Sequence, residues 1–317
     1  MVGLCLSYRY LFWTPRRGEP QPVPDGLTRH WLATPSGDLE LLCAEPASPS
    51  STPPILFVHG GMGSAWVWAD FMRFLAGHGV TSYAVSLRGH GDSWAPGYIR
   101  MVYLTPRSAF EDDLVAAIDF VRKQHGAPVL IGHSAGGGLS QAVLAQGRAD
   151  VKALALVDAI PGYGSAKVNS NWMALDKWFV FRLFFCHFGH PNSALSHPLL
   201  TLRAFFGKAF PLDKVYPFQA RMARYESLRW PFSMLSAFAP AQDVLKHVEG
   251  RRVLVLAGDE DALMTPEVTR ETAAYYALAG GDVRTEFVQG AGHHLQNDVQ
   301  WEDGAARLLD WFHTLGK

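Results

Sequence analysis

Three kinds of residue in this chain stand where they could make and break an acyl bond. Ser134 lies between two glycines in Gly132-His133-Ser134-Ala135-Gly136, the G-x-S-x-G pattern of a nucleophile elbow. A serine hydroxyl attacks a carbonyl only if a base takes its proton and a third group orients that base. Carboxylates cluster later at Asp259, Glu260 and Asp261, and histidines at His293 and His294. Such a set would form an acyl-enzyme and release it to water. The residues alone leave the acid open among these three carboxylates and Asp158, and the base open between the two histidines.

These groups need elements to hold them. Val129, Leu130 and Ile131 form the continuous apolar run of a buried parallel strand, and Leu139, Ala142, Val143 and Ala145 then recur at helical spacing. Ser134 is therefore expected at a strand-to-helix corner, with Gly132 and Gly136 removing the Cβ atoms that would collide as strand and helix close. The hydroxyl also lies at the positive end of the following helix, where negative charge is favoured. The acids follow the apolar run "VLVLAG" and the histidines follow "TEFVQ". Both sets thus sit on strand-end loops, the edge where a doubly wound sheet gathers its ligands.

The rest of the chain supplies that sheet. "RHWLATP" and "LELLCAEP" alternate around Ser36-Gly37-Asp38 and predict an opening hairpin. Buried strands at "ILFVHGG", "VTSYAVSL", "VLIGH", "VKALALVD" and "RRVLVLAG" alternate with helix-period stretches, which predicts a mostly parallel sheet covered on both faces. Between Pro161 and Pro240 the rhythm stops, with no buried-strand run but many aromatic residues in helix-like stretches such as "NWMALDKWFVFRLFF". The expected organisation is a core of residues 25–160 and 241–317, a helical insertion at 161–240 and an N-terminal extension at 1–24. That extension is apolar and aromatic up to Trp13 and basic after it. It is too short, with Arg9 in its middle, to span a membrane, and it lacks the order of a signal peptide. Packing on the protein's own core is the expectation, with a membrane surface as the alternative.

With 317 residues, 48% apolar and 18% charged, and a net charge of −1, the composition is that of a soluble globular protein and gives no electrostatic footprint for nucleic acid. No dinucleotide fingerprint, phosphate-binding loop or metal-ligand spacing occurs, so no cofactor or metal is expected. The three cysteines, Cys5, Cys43 and Cys186, are too scattered for a disulfide framework, and a reducing, cytoplasmic setting is the default expectation.

The segments "FVHGG", "LRGHGDS", "GHSAG", "LAGDED" and "GAGHH" follow one another in an order that resembles the α/β-hydrolases over nearly the whole sheet. Within that fold the chain resembles monoacylglycerol lipases and lysophospholipases. The resemblance implies Asp261, third after the strand-ending Gly258, as the acid, and His293, closing G-x-G-H, as the base. It implies oxyanion donors at the backbone N–H of Ala135 and of Gly61. Met62 is the alternative to Gly61, because His-Gly-Gly-Met-Gly departs from the HGGG loop of some lipases. His59 and His90 are expected to shape turns, and His133 is expected to be structural, because the elbow turns adjacent side chains apart. Serine in place of aspartate at the elbow argues against the dehalogenases and epoxide hydrolases of the same fold.

The insertion is implied to form a lid, with Trp172, Trp178 and Phe179 expected to line an apolar acyl pocket. It carries nine Lys and Arg against three Asp and Glu. Such a lid would suit an amphiphile with an anionic head, a membrane surface or an acyl-carrier protein. The implied activity is hydrolysis of a carboxylic ester of a lipid-like or medium-chain acyl group. An acyl-thioesterase, or a lactone-forming or lactone-cleaving enzyme, would use the same three side chains. A ligand-binding protein on a hydrolase scaffold is the reading from outside enzymology.

Overall fold

A computed structural model describes residues 19–48 and 53–316. The expectation for the first 18 residues of the N-terminal extension lies outside this range. Eight strands form one sheet in the order β1-β2-β4-β3-β5-β6-β7-β8. They are β1 (Thr28–Leu32), β2 (Leu39–Ala44), β3 (Ile55–Val58), β4 (Ser82–Val85), β5 (Val129–His133), β6 (Ala153–Val157), β7 (Arg252–Gly258) and β8 (Asp282–Val288). The first two pair antiparallel as the expected hairpin, β2 pairs antiparallel with β4, and all later pairings are parallel.

Alternation along the strands divides the core into two layers. Leu56, Val58, Leu130, Leu154, Leu156, Val253 and Val255 face one layer. Their neighbours Ile55, Phe57, Val129, Ile131, Ala155, Leu254 and Leu256 face the other. Side chains that point to opposite faces at every second residue require helices on both, which is why these strands read as continuous apolar runs. The first layer is closed by α2 (Arg107–His125), whose Phe110, Leu114, Ala117, Ile118 and Val121 recur at helical spacing, and by α3 (Ser134–Ala145). The second is closed by α1 (Ala69–Gly77) and the C-terminal helix α8 (Trp301–Phe312).

No strand occurs among the described residues between β6 and β7. That segment contains α4 (Ala166–Leu175), α5 (Pro198–Phe205), α6 (Leu212–Arg221) and shorter helical turns, and α7 (Pro266–Leu278) follows β7. The aromatic stretch "NWMALDKWFVFRLFF" is not one helix. Helix α4 stops at Leu175, and helix restarts at Phe179 and continues as a π-helical turn over Arg182–Cys186. Asp176 stands at the break, where its carboxylate accepts the N–H of Trp178 at 3.1 Å and pairs with the buried Arg182, tying the turn to the second piece.

Candidate active site

Ser134 is the first residue after β5 and has a left-handed backbone, φ 50°. A non-glycine residue holds such a conformation only where its surroundings enforce it. The flanking glycines show how. A Cβ on Gly132 would lie 2.5 Å from Cα of Gly137, so that glycine lets strand and helix close as expected. A Cβ on Gly136 would lie 2.2 Å from the carbonyl oxygen of His59. The second glycine therefore clears the end of the neighbouring strand β3, not the elbow's own strand.

Around the partly exposed Ser134 the structure brings His293 and Asp261 together. His293 Nε2 lies 3.0 Å from Ser134 Oγ, and His293 Nδ1 lies 2.8 Å from Asp261 Oδ2. A carboxylate only accepts, so Nδ1 carries the proton and Nε2 is free to take that of the serine. Both side chains are buried. The second oxygen of Asp261 accepts the N–H groups of Leu263 at 2.7 Å and Met264 at 2.9 Å, which fixes the carboxylate from behind.

The other candidates do structural work. Asp259 accepts the N–H of Gly290 at 2.6 Å, and Glu260 pairs with Lys208. Asp158 is buried after β6 and accepts the N–H of Gly258 at 3.0 Å. Burial, reinforced by the neighbouring Asp261 charge, holds its carboxyl well above the usual range.

The nearby histidines are equally well placed. His133 donates through Nε2 to the carbonyl of His293 at 2.9 Å and so braces the base from the elbow. His59 donates through Nδ1 to the Gly60 carbonyl at 2.7 Å and accepts the Leu87 N–H on Nε2 at 3.1 Å, which defines a neutral ring. Burial pushes His59, His133 and His294 far below the ordinary histidine range, and the mutual repulsion the rings would suffer if charged pushes in the same direction. The cluster therefore adds no positive charge beside the base.

The three aromatic residues expected to meet substrate lie elsewhere. Trp172 and Phe179 line a cavity of about 10 Å³ with Leu175, Ala194, Leu200 and Ala204, inside the insertion. Trp178 is 54% exposed. The rings beside His293 and His294 are those of Phe205, 5.7 Å from His293 between centroids, and of Phe206 and Phe218, which pack on Phe205 and on His294. All three belong to the aromatic-rich insertion, but nothing in their spacing singles them out.

The insertion also grips both loops of the site. Asp298 Oδ2 accepts the N–H groups of Gly207 and Gly292, and the His294 N–H donates to the Phe205 carbonyl at 2.6 Å. At the loop after β3, the N–H of Met62 donates to Glu226 Oε2 at 3.1 Å. Of the two expected second oxyanion donors, Met62 is thus already engaged. Glu226 gave no signal in the sequence, because it sits among insertion residues with no motif around it.

Solved structures repeat this architecture. The chain is similar to a thermostable carboxyl esterase from Bacillus coagulans, with 13% identity, a TM-score of 0.67, and coverage of 92% of this chain and 99% of that one. It is similar to a haloalkane dehalogenase variant from Bradyrhizobium elkanii, with 18% identity, a TM-score of 0.65 and coverage of 92% and 98%. A thioesterase domain from the curacin biosynthetic pathway matches with 18% identity, a TM-score of 0.59 and coverage of 91% and 100%. At these identities the likeness is one of fold, and three different chemistries share it. No curated protein matches the sequence. The alpha/beta hydrolase family matches residues 55–310, a span that holds the elbow, the acid loop and the histidine loop, and the chain belongs to that family.

Proposed function

We propose that the chain is a serine hydrolase of carboxylic esters that works through an acyl-enzyme. The observation that carries this reading is His293 bridging Ser134 Oγ at 3.0 Å and Asp261 Oδ2 at 2.8 Å. Ser134 attacks the ester carbonyl while His293 takes its proton, and Asp261 stabilises the imidazolium. His293 then protonates the leaving alcohol and activates the water that frees the acid. The N–H groups of Ala135 and Gly61 receive the oxyanion, since that of Met62 is held by Glu226.

Residues 161–240 act as a lid in this reading, and the acyl chain lies against Phe205, Phe206 and Phe218. A lipid-like or medium-chain acyl group suits such a wall. The outer face of the lid supports contact with an amphiphile or lipid surface: Phe184, Phe185 and Phe188 are 60%, 72% and 85% exposed. Among the described residues no helix is long and apolar enough to cross a membrane. The test is hydrolysis of a chain-length series of p-nitrophenyl esters by wild type and Ser134→Ala. Turnover that requires Ser134 and peaks at one acyl length is expected; turnover by the variant overturns the reading. Acyl thioesters run beside the esters test the thioesterase alternative, which uses the same three residues.

A further inference from the structure

Met62 has a left-handed backbone, φ 64°, in the loop that supplies the second oxyanion donor. Both of its backbone polar groups are held by one stretch of the insertion. The N–H of Ala223 donates to the Met62 carbonyl at 2.8 Å, and the Met62 N–H donates to Glu226 Oε2 at 3.1 Å. Asn192 braces that stretch from the far side, donating through Nδ2 to the carbonyls of Ala223 at 3.0 Å and Arg224 at 2.9 Å.

Glu226 is buried and takes three donors. Oε2 accepts from Met62 and from His90 Nε2 at 2.8 Å, and Oε1 accepts the N–H of Ser227 at 2.8 Å. The other ring nitrogen of His90 faces the carbonyl of Arg88 at 3.0 Å, so it must donate as well. A ring with acceptors at both nitrogens is an imidazolium. Burial is the largest influence and opposes that charge, but the Glu226 carboxylate, the Arg88 carbonyl and Asp113 together hold His90 above its ordinary value. The pairing matters for the adjacent residue. A Cβ on Gly61 would sit 3.6 Å from Glu226 Oε2, so an uncompensated carboxylate there would repel an oxyanion bound by the Gly61 N–H. With His90 charged the pair is neutral.

We infer that Glu226 is a positioning residue: through Met62 and with His90 as counter-ion, it sets the direction of the Gly61 N–H toward the oxyanion. This rests on the serine-hydrolase reading. It makes the insertion a part of the catalytic geometry as well as a cover over it. Only a carboxylate satisfies the arrangement. A glutamine of the same shape turns its NH2 group either toward the Met62 N–H or toward the Ser227 N–H, donor against donor.

The experiment uses the full chain, p-nitrophenyl butyrate as substrate and an alkyl boronic acid as probe, because its tetrahedral adduct on Ser134 places an oxygen at the oxyanion position. Ser134-dependent turnover by wild type is established first; its absence defeats the serine-hydrolase reading and leaves this inference without a basis. Glu226→Gln, checked for native circular dichroism, is then expected to lower kcat ~100-fold with KM within about threefold, the scale of losing one oxyanion donor. Boronate affinity should fall in parallel. A folded variant with wild-type kcat and boronate affinity, or one that changes only KM, overturns the inference. If Glu226→Gln does not fold, Asn192→Ala carries the test: kcat falling ~5-fold together with boronate affinity supports the inference, and unchanged values for both overturn it.

Discussion

The inward and outward faces of the β6–β7 insertion are built on opposite principles. Inward, Phe205, Gly207, Ala223 and Glu226 are bonded to the histidine loop or to the loop after β3, and every one of them is buried. Outward, Trp178 meets Phe181 edge-on and Phe181 stacks on Phe185, with centroids 6.1 and 5.1 Å apart, and all three remain exposed. A monomer seldom leaves so many adjacent large rings in water. The comparison teaches that one inserted segment does two jobs. Its inner face is bonded to the loops at the sheet edge, while its outer face presents apolar rings that gain energy only when something apolar meets them.

Substitutions should therefore lose activity in order of their distance from the sheet edge. Ser134→Ala removes the nucleophile and is expected to lower kcat ~10⁴-fold or more with no change in thermal unfolding, as measured by ester hydrolysis and calorimetry. A smaller loss would move the chemistry away from the elbow. Asp261→Asn should cost ~10³- to 10⁴-fold in kcat, because the amide cannot stabilise the imidazolium of His293.

Asp158→Asn separates the two buried acids. Asp158 accepts the Gly258 N–H and burial favours its neutral form, so its amide should leave kcat within ~10-fold of wild type. Its folded-state pKa is raised, so its contribution to stability is present in acid and is lost as pH rises from ~4 through the raised value. Asp158→Asn should accordingly raise the unfolding temperature by about 2–4 °C relative to wild type at pH 7.5 and by less at pH 4, read by differential scanning calorimetry at both values.

Phe205→Ala tests the inner wall. It should shift the preferred p-nitrophenyl ester toward longer chains, with kcat/KM for the original optimum falling ~10-fold. The smallest effect belongs to the outer face. Phe184→Ser with Phe185→Ser should leave kcat/KM for p-nitrophenyl butyrate within ~2-fold and reduce retention on a phenyl-substituted resin. A large loss on the soluble ester would erase the distinction between the two faces.

Much of this molecule is legible in the sequence because it is local. An apolar run ended by Gly-x-Ser-x-Gly specifies a strand, a strained corner and a helix within a few residues, and each neighbouring strand is equally self-declared. The segments "LAGDED" and "GAGHH" likewise sit directly at strand ends, so the order of acid and base along the chain places both at one edge. The choice of Asp261 over Asp259 and Glu260 came from family resemblance; the spacing of the carboxylates alone left it open.

Other features depend on residues far apart in the chain, and for these the tertiary structure decided. Phe205 lies beside His293, and Phe206 and Phe218 beside His294, because of how the insertion folds back onto the histidine loop. Gly136 is required by the carbonyl of His59, a residue on another strand. Glu226 meets Met62 across 164 residues. The sequence by itself determined the sheet and the loops on which the reactive groups stand, since backbone sterics and alternating burial act between near neighbours. Which aromatic rings lie beside the two histidines, how the buried Asp158 and Asp261 are partnered and which carboxylate holds the loop after β3 depend on the packing of distant segments, and only the folded chain sets that.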